Sequence, residues 1–295
     1  MAVNPSQKMS IKQCLAFARD CFLSSSKDIN STVDKHDAKV DSEVLLCDVL
    51  GKAKSYLLTW PDNVLSEQQY QTFLDYVARR KRGEPVAYIL GTQEFWSLSF
   101  KVADCTLIPR ADTETLVEAV LNNHPQQQGT LLDLGTGTGA IALALAHEKP
   151  HWRVDAVDYH HDAVNLAKQN RERLSLQHVA IYQSDWFSQV AVEKRFDVIV
   201  SNPPYIDEHD PHLSQGDVRF EPLSALVAKD NGFRDIQHII NTARDYLNSG
   251  GALYLEHGFE QHQGVQALLK EHGFQKIHTY YDYGGNPRIT MGVYQ

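Results

Sequence analysis

Of the 295 residues, 28 are Lys or Arg and 37 are Asp or Glu, a formal charge of −9 at neutral pH, while 42% are hydrophobic and 22% charged. That composition is ordinary for a folded protein and supplies enough apolar mass for one large core and a smaller one, so general disorder is excluded and two domains are expected. The acidic balance removes the global positive field on which non-specific nucleic-acid binding rests, and leaves only local basic patches for phosphates or ribosomal RNA.

Residues 1–10 hold Asn4, Pro5, Gln7 and Lys8 but no apolar core, and the longest apolar stretch, 140–146, is far too short to cross a bilayer. A cytoplasmic protein is predicted. Cys14, Cys21, Cys47 and Cys105 are widely spaced with no C-x-x-C pair, which fits a reducing compartment and indicates neither a disulfide framework nor a zinc ribbon. Asn30-Ser31-Thr32 matches the glycosylation sequon, but without a secretion signal it reads as a polar loop.

From residue 11 to 82 apolar residues recur at helical spacing, as in Val40, Val44, Leu45, Val49 and in Tyr70, Phe73, Leu74, Val77. Ser66 followed by Gln69 is a capping box, and Gly51 and Gly83 stand where two helices would stop. A small all-α domain over residues 1–90 is predicted. The run Arg79-Arg80-Lys81-Arg82 reads as a solvated helix end favoured by the helix dipole. Between 85 and 109 the runs Glu94-Phe95-Trp96 and Phe100-Lys101-Val102 suggest a hairpin, taken as a linker over 91–110.

Asp112 is placed to cap a helix over 113–122, and beyond it short apolar runs alternate with helical patterns. Strands are predicted at 131–134, 154–157, 179–182, 196–200, 252–255, 277–281 and 289–294, with helices at 140–147, 163–173 and 236–247. Strand-helix alternation means a parallel sheet covered by helices on both faces, and the last two strands, too close for an intervening helix, form an antiparallel hairpin. Residues 111–295 therefore form an α/β domain with a Rossmann-like sheet. Of Tyr280, Tyr281 and Tyr283, at least one is expected in the core.

The strand ending at Leu134 runs into Gly135-Thr136-Gly137-Thr138-Gly139 and then a helix. Glycines there permit a tight turn and close approach of a ligand, and the helix N-terminus offers N–H groups. A glycine-rich turn alone is often only a turn. Asp158, 23 residues after Gly135 at the end of the next strand, strengthens the reading, because a carboxylate there accepts two hydrogen bonds from vicinal ribose hydroxyls. An adenosine-containing cofactor is indicated. Ser201-Asn202-Pro203-Pro204-Tyr205 directly follows the strand 196–200 and so, at the carboxyl end of a strand of the open sheet, faces the same crevice. Two prolines stiffen the loop and remove N–H donors, leaving backbone carbonyls. With the side-chain carbonyl of Asn202 they can hold both hydrogens of a planar –NH2 group, and Tyr205 would stack on or wall it.

Together Asp133-Leu-Gly-Thr-Gly-Thr-Gly139, Asp158 and Asn202-Pro-Pro-Tyr205 resemble a class I S-adenosylmethionine-dependent methyltransferase acting on nitrogen. Arg82-Gly-Glu-Pro-Val-Ala-Tyr-Ile-Leu-Gly91, Ile108-Pro-Arg-Ala-Asp-Thr-Glu114, Ser184-Asp-Trp-Phe187, Phe220-Glu-Pro-Leu223 and Gly284-Gly-Asn-Pro-Arg288 narrow the resemblance to the HemK/PrmC family, the glutamine-N5 methyltransferases of peptide release factors. The resemblance implies that Gly135, Thr136, Gly137, Thr138 and Gly139 wrap the cofactor S-adenosyl-L-methionine. Asp158 would hold its ribose, Trp186 lie beside the adenine, and Asn202 complete the cofactor site. Asn202, Pro203, Pro204 and Tyr205 would bind the substrate amide, with Asn202, Pro203 and Tyr205 catalytic. It further implies class 1 release factors as partners, methylated at the glutamine of their Gly-Gly-Gln loop, and a helical domain that helps grip them. No membrane and no direct DNA contact are expected; ribosome contact stays open.

Three other readings compete. His147-Glu148-Lys149-Pro150-His151 matches H-E-x-x-H, but Pro150 breaks the helix that motif needs, and no metal is expected. A methyltransferase for exocyclic base amines could use the same clamp. A non-catalytic cofactor-binding module would bind without turnover.

Overall fold

The computed structural model describes residues 9–25 and 35–295; the start of the chain up to Lys8 and the Asn30-Ser31-Thr32 sequon lie outside them. Two compact units emerge, Met1–Gly91 with Pro211–Phe220, and Thr92–Asp210 with Glu221–Gln295. Among the described residues no helix is long and apolar enough to cross a membrane.

The first unit holds α1 (Ile11–Ser25), α2 (Lys35–Leu50), α3 (Lys54–Thr59), α4 (Glu67–Lys81) and α5 (Val86–Leu90). Ile11, Cys14, Ala18 and Phe22 recur at helical spacing and pack with Leu45, Leu46, Tyr70, Phe73 and Val77. The capping box forms, Ser66 Oγ accepting from the Gln69 amide and Gln69 Oε1 from that of Ser66. Gly51 and Gly83, just past α2 and α4, take positive φ. The helix read through Val40, Val44, Leu45 and Val49 forms as α2, which turns Ala38, Ser42, Leu45 and Leu46 inward and leaves Val40 and Val44 exposed. One reading needs correction. The Arg79–Arg82 run is not simply solvated: Arg80 is buried, its Nε 2.7 Å from Asp41 and its Nη1 2.7 Å from Asp217, and Arg79 pairs with Glu84. Carboxylates distant in sequence pair with the buried guanidinium, which composition does not reveal.

The second unit opens with the hairpin β1 (Thr92–Phe95) and β2 (Leu98–Lys101). The hairpin read between the two bodies forms, and its residues Phe95 and Phe100 pack in the core of this unit. Trp96 and Ser97 both take left-handed φ, an arrangement normally left to Asn or Gly in a two-residue turn. Tertiary bonds hold it: Trp96 donates its amide to Glu114 and its indole N–H to Glu148.

Then come α6 (Glu114–Asn123), β3 (Thr130–Leu134), α7 (Ala140–Glu148), β4 (Arg153–Asp158), α8 (His161–Arg173), β5 (Ala180–Gln183), β6 (Phe196–Ser201), α9 (Arg234–Ala243), β7 (Leu247–Glu256), α10 (His262–Glu271), β8 (Gln275–Tyr281) and β9 (Pro287–Val293). The seven strands run β5-β4-β3-β6-β7-β9-β8, parallel except for β9, which is antiparallel to both neighbours. This is a Rossmann-like sheet with a C-terminal antiparallel hairpin. Asp112 does not cap α6; it sits in a preceding 3-10 turn and faces Arg288 at 3.3 Å. α7 ends at Glu148, so His147 and His151 do not share one helix. α9 stops at Ala243, and Leu247 already pairs in β7. α10 escaped the sequence reading because only Val265 and Leu269 of it are buried. Tyr280 packs half-buried on the core, while Tyr281 and Tyr283 are exposed.

Candidate active site

The chain winds outward from β3 through β4 to β5 and then returns to β6 on the other side of β3. Loops leaving the carboxyl ends of β3 and β6 diverge at this reversal and open a crevice, the place where open α/β sheets bind ligands. A cavity of about 410 Å³ lies there, within the range of about 300–1,000 Å³ common for small-molecule sites.

Gly135, Gly137 and Gly139 all take left-handed φ (69°, 55° and 85°), which explains their alternation, since an L side chain is strained there. Gly135, Thr136, Gly137 and Thr138 line the cavity. Gly139 does not: a Cβ on it would lie 2.9 Å from Leu143 Cδ1 and 3.4 Å from the Ala167 Cβ, so it lets α7 and α8 close behind the loop. Asp133, fully buried at the end of β3, ties the loop down through Oδ2, which accepts from Thr136 Oγ1 at 2.6 Å and the Ala142 amide at 3.2 Å. Among the described residues its Oδ1 has no hydrogen-bond partner, and burial pushes the carboxyl up to about 7.

Asp158 ends β4 and lines the cavity. Its Oδ2 accepts the Gly137 amide and its Oδ1 the His160 amide, each at 2.9 Å, leaving acceptor capacity on both oxygens for a diol. Burial raises its pKa, with the two amides opposing. Trp186 lines the wall beside Gly135, a Cβ on which would meet the indole at 3.5 Å. The Trp186 backbone is itself left-handed (φ 47°), its carbonyl accepting from Ser184 Oγ at 2.6 Å. Apolar Phe95, Ile141 and Ala163 complete a wall suited to an adenosine-containing cofactor with a carboxylate partner for its ribose.

Asn202 and Pro204, directly after β6, line the same cavity. Asn202 Nδ2 donates to Thr113 Oγ1 at 3.3 Å. Pro203 is buried and lies outside the lining. Tyr205 too lies outside the lining. Its hydroxyl donates to Glu256 Oε1 at 3.2 Å and its carbonyl accepts from Gln261 Nε2 at 3.1 Å, which draws the side chain toward β7. Gly232 makes room for this: a Cβ there would lie 2.1 Å from the Tyr205 carbonyl oxygen.

Further residues, given no role by the sequence, complete the site. Arg110 and Thr113 line the cavity, with Tyr159, His160, Asp185 and Asp235. Glu221, its side chain fully buried, accepts the Ile108 amide at 3.0 Å and pairs with Arg110, so it fixes the loop carrying both. The segments around Arg110 and Glu221 both belong to the family resemblance, but 111 residues separate the two, and spacing carries no sign that they pair. Glu256 likewise joins Thr113, 143 residues away.

Residues 111–217 match the family model described as Methyltransferase small domain, and residues 31–91 that described as PrmC N-terminal domain. Proteins named Release factor glutamine methyltransferase are 55% identical in Shewanella oneidensis (90% of this chain, 92% of that protein), 52% in Vibrio cholerae (87% and 90%) and 51% in Escherichia coli (86% and 91%). Among solved structures, the hMettl16 catalytic domain with a MAT2A 3′UTR hairpin superposes with a TM-score of 0.55 at 14% identity (77% of this chain, 80% of that one). A methyltransferase from Pyrococcus furiosus gives 0.52 at 18% (74% and 98%). At these identities the structures show the shared fold alone.

Proposed function

The chain belongs to the release factor glutamine methyltransferase family, enzymes that use S-adenosylmethionine, and from that premise we propose how its site methylates the glutamine amide. The observation that carries the proposal is that Asn202, with its amide –NH2 engaged by Thr113, lines the same cavity as the glycine loop and Asp158. When bound, S-adenosylmethionine supplies an electrophilic methyl carbon. Residues 135–138 and Asp158 hold it, Asp158 through the ribose, with Trp186 beside the adenine.

The acceptor is the N5 nitrogen of the glutamine in the Gly-Gly-Gln loop of a class 1 release factor. An amide nitrogen is a poor nucleophile because its lone pair is delocalised. Asn202 Oδ1 accepts one amide hydrogen and the carbonyl of Pro203, between the two cavity-lining residues of the loop, accepts the other. These acceptors stabilise the positive charge that develops on nitrogen and hold the lone pair out of conjugation. No strong base is required, since the methylated amide nitrogen is very acidic and gives up its proton to water. The helical unit helps to grip the factor, and the cytoplasm is the site of action.

Labelled S-adenosylmethionine, incubated with the protein and with release factor, DNA or RNA, tests the reading. Label should enter release factor alone and map to that glutamine. Asn202→Ala should lower single-turnover methylation by about 100-fold with little change in cofactor affinity, the scale of losing one preorganised hydrogen-bonding group. Transfer to a nucleic acid, or a near wild-type rate in Asn202→Ala, would refute it.

A further inference from the structure

Asn202 can serve as an acceptor only if its carbonyl, and not its –NH2 group, faces the substrate. The side-chain amide is nearly symmetric in shape, so packing alone distinguishes the two orientations poorly and a hydrogen-bond partner must choose between them. The neighbour at Nδ2 is a hydroxyl, Thr113 Oγ1, which can donate or accept. A hydroxyl has one proton, and the direction of that proton decides which end of the asparagine it attracts.

Here the proton is already committed. Thr113 Oγ1 donates to Glu256 Oε2 at 2.7 Å, so toward Asn202 it presents lone pairs and attracts the –NH2 end. Glu256 is fully buried at the end of β7, and its other oxygen accepts the Tyr205 hydroxyl at 3.2 Å. One carboxyl group thus touches the substrate loop by two routes, through Thr113 to Asn202 at its start and directly to Tyr205 at its end. Glu256 does not line the cavity, so these hydrogen bonds are its connection to the site.

We infer that Glu256 is a positioning residue for methyl transfer, which by accepting the Thr113 proton turns the carbonyl of Asn202 toward the substrate amide. The inference rests on the proposed role of Asn202. Without the acceptor at 256, the Thr113 hydroxyl can turn its proton to Asn202 Oδ1, the amide rotates, and an –NH2 group meets the substrate –NH2. That substitutes a donor-donor encounter for a hydrogen bond in the transition state while leaving the cofactor's contacts in place.

The test is methylation of purified release factor by full-length variants, with cofactor affinity measured by calorimetry. Thr113→Val keeps the shape and removes the hydroxyl; it should lower kcat by about tenfold or more with cofactor affinity within about twofold, as for an interaction made chiefly in the transition state. Thr113→Ser should restore most of the rate. Glu256→Leu, similar in volume and without an acceptor, reads the same link from its other end and carries the test if Thr113→Val folds poorly. In an Asn202→Ala background Thr113→Val should cost nothing further, because its effect travels through that side chain. A wild-type kcat in Thr113→Val, a Thr113→Ser as slow as Thr113→Val, an equal fall in cofactor affinity, or a full additional loss in the Asn202→Ala background would each overturn the inference. Asn202→Ala separates the two failures: if it is fast, the proposed clamp itself is wrong; if it is slow and Thr113→Val fast, only the role of Glu256 falls.

Discussion

The carboxylate of Asp158 accepts the backbone amide of Gly137 at 2.9 Å, so the residue read as the ribose partner also holds the glycine loop in place. Asp158→Ala should therefore weaken cofactor binding by about 1.5–3 kcal/mol, the scale for losing charge-assisted hydrogen bonds, and loosen the loop as well. Asp158→Asn should be nearly as damaging despite its shape, because both carboxylate oxygens face backbone N–H donors and an amide –NH2 must oppose one of them. Calorimetric titration with S-adenosylmethionine decides it. Wild-type affinity in a folded Asp158→Asn protein would remove the donor-opposition argument.

Arg80 offers a test of the helical unit. Asp41 is half-buried beside it, and burial raises the Asp41 pKa against the opposing pull of the Arg80 guanidinium, so the aspartate depends on that partner. Arg80→Met should destabilise the protein by about 3–5 kcal/mol, because an uncompensated half-buried carboxylate remains, and Arg80→Met with Asp41→Asn should recover much of the loss. Urea unfolding of the two variants measures the difference. Equal stability of single and double variants would show that the pairing contributes little. Released from Arg80, the segment around Asp217 should also be cut faster by trypsin at Arg219.

The buried Glu256 carboxyl sets a pH dependence with a definite sign. Burial pushes it from 4.5 up to about 7, against the opposing influence of Thr113, Arg288 and Tyr205, while Asp112 adds to the rise. A carboxyl raised on folding contributes stability fully present below 4.5 and lost as pH rises through about 7, because the folded state holds its proton longer. Asp133, raised to about 7, acts in the same sense, and His257, lowered to about 4 by burial, in the opposite one. Comparing wild type with Glu256→Gln isolates one group: the wild type should gain stability relative to the variant on going from about pH 8 to about pH 5. A stability difference independent of pH would contradict the buried titration.

What the residues determine locally, the sequence determined by itself: the capping box at Ser66 and Gln69, the alternation of strands and helices beyond residue 130, and the placing of the glycine loop, Asp158 and Asn202 at the carboxyl ends of strands. Each follows from backbone periodicity or from glycine's access to left-handed φ. Tertiary structure alone decided the rest. The turn at Trp96 and Ser97 stands against its own residues' preference because Glu114 and Glu148 hold it. The insertion of β9 between β7 and β8, the burial of Arg80 between Asp41 and Asp217, and the hydrogen bond from Tyr205 to Glu256 likewise join residues with no local relation. A buried charge or hydroxyl must find its partner wherever the fold brings one, and sequence spacing carries no record of that choice.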